Sequence, residues 1–116
     1  MEQSNIVVTS LPYLIVLYEN CENKTLKNNI LKQSEVLNCL TEIIFNLLDN
    51  SIVLNKTEKD SLVKFTDDLI ILGKKGGSSS RKLKLLRGSR GKELLITVLS
   101  ITLPLIITSL NNGTKS

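Results

Sequence analysis

Residues 81–110 read RKLKLLRGSRGKELLITVLSITLPLIITSL, a short basic run followed at once by an apolar one. In the first part Arg81, Lys82, Lys84, Arg87, Arg90 and Lys92 alternate with Leu83, Leu85 and Leu86. In the second, residues 94–110 carry no charge, and Lys92-Glu93 and Asn111-Asn112 fence them on either side. Where that apolar run is buried decides what kind of molecule this is.

A membrane-spanning helix needs about 20 apolar residues, with about 17 as the lower limit. The run meets that limit, although Pro104 sits near its middle and Ser or Thr occupies positions 97, 100, 102, 108 and 109. Proline is tolerated in membrane helices, and hydroxyl side chains can bond back to their own helix. Three destinations stand open at equal weight: a membrane-inserting tail, a helix packed on the rest of the chain, and an oligomer contact. The candidate membrane or capsid contacts are Leu94, Leu95, Ile96, Val98, Leu99, Ile101, Leu103, Leu105, Ile106, Ile107 and Leu110.

Charge is unevenly spread. Residues 1–73 carry six Lys against ten acids, whereas residues 74–92 carry eight basic residues and no acid. The formal +4 therefore joins a mildly acidic domain to a strongly basic segment. Such asymmetry points to a polyanionic partner, either nucleic acid or an anionic membrane surface. Arg81, Lys82, Lys84, Arg87, Arg90 and Lys92 are the candidate phosphate contacts. No aromatic lies among them, so base stacking is unsupported and binding to DNA is expected to be non-specific.

Upstream, helical spacing predicts a small all-α bundle of about four helices over residues 6–73. Ser10 is a candidate N-cap with Pro12 in the first turn, followed by Leu11, Leu14, Ile15, Leu17 and Tyr18 on one face. Thr25 or Asn23 can cap a short second helix through Leu26, Ile30 and Leu31. The third helix is the clearest, with Ser34 as N-cap and Val36, Leu37, Leu40, Ile43, Ile44, Leu47 and Leu48 as its core face. Thr57 to Asp60 has the form of a capping box, and Leu62, Phe65, Leu69, Ile70 and Leu72 continue a fourth helix to Gly73. The run KKGGSSS then predicts a basic, flexible linker over residues 74–93, ahead of the apolar C-terminal helix at 94–110.

No cofactor, metal or small-molecule substrate is expected. The chain has no His and only two cysteines, Cys21 and Cys39, which removes the usual general base and the usual ligand sets. Residues 73–77, GKKGG, lack the spacing of a phosphate loop. With Glu2 near the start and Pro12 and Tyr13 inside the first apolar run, no signal peptide is expected, and the thiols suit a reducing compartment.

Several phrases of the chain resemble one family. Leu11-Pro12-Tyr13-Leu14 stands where the family has a Leu-Pro or Ile-Pro phrase at its first helix. Glu35-Val36-Leu37-Asn38-Cys39-Leu40-Thr41-Glu42 occupies the place of a Leu-Ile-x-Cys-Ile-x-Glu phrase. Residues 46–54, NLLDNSIVL, resemble an Asn-x-Leu-x-Gly-Asn-Ile-Pro-Leu turn. Residues 82–110 lie where the family has a basic run, a glycine pair and an apolar Leu/Pro tail. The family is that of small proteins encoded by Polinton/Maverick elements and adintoviruses, likened to the adenovirus core peptide precursor called protein X. The chain departs from it in an acidic fourth helix (Asp60, Asp67, Asp68) where relatives are lysine-rich, and in the placement of its glycines. The resemblance implies a non-enzymatic minor virion or core protein that associates with DNA, membrane or capsid proteins. It implies residence in the virion and in the host nucleus or cytoplasm. It also suggests processing by a protease that prefers an aliphatic residue two before a glycine. Leu86, Gly88 and Ser89 fit that pattern, with Arg90 where a second glycine would stand. The residue reading keeps a rival, a tail-anchored membrane adaptor whose helical domain binds a protein partner, and leaves a homo-oligomer open.

Overall fold

A computed structural model of the chain describes residues 5–49 and 52–113, with side chains over 9–49 and 52–108. Among these residues there are seven helices and no strand: α1 (Asn5–Glu19), α2 (Lys24–Leu31), α3 (Ser34–Leu48), α4 (Lys56–Val63), α5 (Thr66–Leu72), α6 (Ser79–Arg87) and α7 (Ser89–Gly113). The all-α class expected from the spacing is the one adopted, including the apolar C-terminal helix.

Helix α3 is central. Val36, Leu37, Leu40, Ile43, Ile44 and Leu47 are buried on it, and α1 and α5 lie against it. Its N-cap is Gln33, so Ser34 is the first helical residue and caps nothing. Helix α1 begins before Ser10, with Pro12 inside it. Ser10 is instead buried beside Cys39. Asn23 caps α2, its Oδ1 accepting from the Leu26 N–H at 3.1 Å. The capping box of α4 is Asn55 with Glu58, two residues before the expected pair. Asn55 Oδ1 accepts from the Glu58 N–H at 2.8 Å, and Glu58 Oε1 accepts from the Asn55 N–H at 3.0 Å.

The expected fourth helix is two. Between α4 and α5 the backbone leaves helical geometry at Phe65, whose ring lies in the core at 1% exposure. The Thr66 hydroxyl donates to the Val63 carbonyl at 2.6 Å and holds the corner. Gly73 ends α5 at a close approach to α3: a Cβ there would stand 3.0 Å from Leu48 Cδ1 and 3.1 Å from Ile44 Cγ2.

In place of a linker, residues 74–93 hold a turn, all of α6 and the start of α7. The turn uses Gly76 at φ +78, and Ser78 Oγ then caps α6 by accepting from the Arg81 N–H at 3.2 Å. Gly88 is extended and separates α6 from α7. The two helices then pack on one another, so tightly that a Cβ at Gly91 would strike the Leu86 carbonyl.

Helix α7 is a wall of the core. Leu94, Leu95, Val98 and Leu99 are fully buried, Ile101, Leu103 and Ile106 nearly so, and α1, α4 and α6 lie against it. One buried cluster runs from Leu14 to Ile106 without division at residue 73. Of the three destinations open to the apolar run, the packed helix is the one it takes here. Pro104 sits on the exposed side, next to a hydroxyl-rich stretch in which Ser100 bonds back to the Thr97 carbonyl at 2.9 Å.

Candidate nucleic-acid interface

The six cations expected to meet phosphate divide into two groups. Arg81, Lys84 and Arg87 are exposed on α6 and make no ion pair among the described residues. With 3.6 residues per turn they fall within an arc of about 120° and a length of about 9 Å. Lys84 and Arg87 also lie in the last turn of α6, where positive charge is favoured by the helix dipole.

The other three are engaged by partners in the chain, Arg90 and Lys92 at the surface and Lys82 in the interior. Arg90 ties the start of α7 to the α4–α5 corner: Nε meets Asp68 Oδ2 at 2.6 Å, and Nη2 donates to the Lys64 carbonyl at 2.6 Å. Its guanidinium also lies 5.4 Å from the centre of the Phe65 ring. Lys92 reaches Glu22 Oε1 at 3.2 Å, joining α7 to the turn after α1. Lys82 is buried, 5% exposed, and its ammonium donates to Thr41 Oγ1 at 2.9 Å and to the Lys74 carbonyl at 2.8 Å. Burial pushes its pKa down from the ordinary lysine value. Its partner Thr41 could not be read from sequence, because the two stand 41 positions apart.

Two further cations flank the row. The Lys74 side chain is exposed, and Lys75 pairs with Glu42 at 3.1 Å while its ammonium stands 4.3 Å from the Phe45 ring centre. The resulting basic surface is the outer side of α6 and the turn before it.

The candidate membrane or capsid contacts also divide. Leu94, Leu95, Val98, Leu99, Ile101, Leu103 and Ile106 face the core, and Ile96 is half-buried. Leu105 and Ile107 are exposed, while the Leu110 side chain lies outside the described residues. Ile107 and Pro104 join Tyr18 of α1 in an open apolar hollow. At the candidate processing point, Gly88 and Ser89 are exposed in the α6–α7 corner and Leu86 is fully buried. Among the described residues no group of three metal-ligating side chains comes together. Comparison with family models, curated proteins and solved structures finds no match.

Proposed function

We propose that the chain is a non-enzymatic virion component of the Polinton and adintovirus kind that binds nucleic acid without reading sequence. Its contact is the outer face of α6. The observation that carries this reading is the row Arg81, Lys84 and Arg87, exposed and free of ion pairs among the described residues, in a segment without acids. The virion assignment rests on the resemblance of residues 11–110 to that family. Each phosphate neutralised releases counterions, and three such contacts correspond to a salt slope of roughly −2.7 on duplex DNA. Anisotropy of a labelled duplex over a salt series tests it. The variant R81Q/K84Q/R87Q should lose binding and its salt dependence while keeping the fold. Affinity equal to the parent's would sink the proposal.

One observation favours the rival membrane adaptor. Ser89–Thr108 is long and apolar enough to cross a membrane by length and composition, yet 44% of its most apolar window is buried in the fold. Insertion would require α7 to leave α1, α4 and α6. Flotation of the full chain with neutral liposomes, in moderate salt, separates the readings: co-migration supports the adaptor, and a chain left at the bottom of the gradient counts against it.

A further inference from the structure

The buried Lys82 ammonium lacks a counter-charge. Both of its acceptors are neutral, and no carboxylate lies within 4.0 Å of it among the described residues. An ammonium carries three donors, so one is unspent. Taking a charge out of water is costly unless it is paired, and two neutral acceptors repay only part of that cost. Helix α3 carries Thr41, whose hydroxyl donates to the Leu37 carbonyl at 3.1 Å and so accepts from Lys82.

A half-open cavity of about 360 Å³ lies beside this group. Lys82, Thr41 and Asn38 line one part of it, and Gly76, Gly77 and Ser79 line another. Ser79 is the first residue of α6; Ser78 takes the Arg81 and Lys82 N–H groups, which leaves those of Ser79 and Ser80 without a partner in the helix. Those donors and the positive end of the helix dipole add to the ammonium. Lys75 and Glu42 also line the cavity, and they neutralise one another through their ion pair. The remaining charge is therefore positive, and its source is Lys82. Gly77 keeps the turn close over the lysine: a Cβ there would stand 3.5 Å from Lys82 Cε.

We propose that this cavity is an oxyanion site that seats a phosphate group between the Lys82 ammonium and the first N–H groups of α6. It goes beyond the nucleic-acid reading and does not depend on it, since Arg81, Lys84 and Arg87 lie on the outer face. A phosphate group supplies the missing counter-charge to Lys82 and acceptors for its third donor and for the N–H groups that α6 leaves unused.

The test uses the full chain, inorganic phosphate as probe, and chloride at matched ionic strength as control. Amide NMR should show saturable shifts at Gly76, Gly77, Ser79 and Ser80 with phosphate alone, accompanied by a rise in Tm. Lys82→Met should weaken this binding at least about tenfold, the scale of one lost charge-assisted bond. Should that variant fail to fold, Ser79→Pro serves, because proline suits a first helical position and Ser78 already has the extended backbone that precedes proline. It removes one N–H donor and should weaken phosphate several-fold with the helix intact. R81Q/K84Q/R87Q should bind phosphate as the parent does, even if DNA binding is absent in both. Dimethyl phosphate distinguishes the source: binding of both probes assigns a nucleic-acid backbone, and binding of inorganic phosphate alone assigns a free or terminal phosphate. Shifts that chloride reproduces, or phosphate affinity unchanged in a folded Lys82→Met or, failing that variant, in Ser79→Pro, would overturn the site.

Discussion

A thiol without water around it is a weak nucleophile at ordinary pH. Cys39 is fully buried, and burial pushes its pKa up to about 12. Cys21 is raised for the same reason, and its thiol donates to the Leu17 carbonyl at 3.1 Å. The fold thus prefers both protonated. For such an acid the stabilisation is complete below pH 9, the unfolded value, and is lost as pH rises towards the folded one, at up to about 1.4 kcal/mol per pH unit. Lys82 and Lys27 act in the opposite sense: burial lowers both, so stability rises with pH between their folded values and 10.5. Urea melts between pH 8 and 11 should show a shallower alkaline decline for Cys39→Ala than for the parent. Parallel curves would mean that Cys39 titrates as an exposed thiol does. A second single-residue test lies at the α6–α7 corner, where Gly91→Ala forces a methyl into the Leu86 carbonyl. Chemical denaturation should show a loss of about 2 kcal/mol or more; a neutral result would contradict the close approach of the two helices.

Helices divide their faces sharply, and α7 gives the cleanest contrast. Val98 is fully buried and Ile107 is exposed, nine positions along the same helix. Val98→Asp places a carboxylate in the core and should abolish the cooperative thermal transition seen by circular dichroism. Ile107→Asp should shift stability by no more than about 0.5 kcal/mol. Equal effects would show that α7 is not packed by this face. The same contrast explains which elements were legible beforehand. The spacing of Val36, Leu40, Ile43, Ile44 and Leu47 states α3 outright, because a helix buried along one face writes its period into the chain. The α4–α5 corner is hidden in the sequence, since Phe65 fits the period of a continuous helix and the Arg90 that meets the corner lies on α7. Residues 79–87 read as linker because their cations and serines outnumber their apolar positions. They form a helix because Ser78 caps it and Leu86 finds α7. For the site, the outer cations could be named from sequence, but the inward turn of Lys82 could not, as Thr41 and the Lys74 carbonyl are long-range or backbone partners.

The whole molecule has a radius of gyration of 13.4 Å, close to the value of about 13 Å expected for a compact chain of 100 residues. A protruding tail would have raised it. Helix α7 contributes seven buried apolar side chains, on the order of 10–20 kcal/mol of transfer free energy. Typical domains hold only about 5–15 kcal/mol of net stability. A chain ending at Lys92 should therefore give collapsed, poorly dispersed amide spectra, and a native-like spectrum from it would show that residues 5–92 fold alone. The burial of Leu17 and Leu94 in one cluster also sets a schedule for synthesis. Ribosomes add ~5–20 residues per second, so roughly 4–15 s separate the making of Leu17 from that of Leu94. For that interval α1 emerges without the helix that covers part of its apolar surface. Until α7 is made, that surface of α1 can associate with other exposed apolar surfaces.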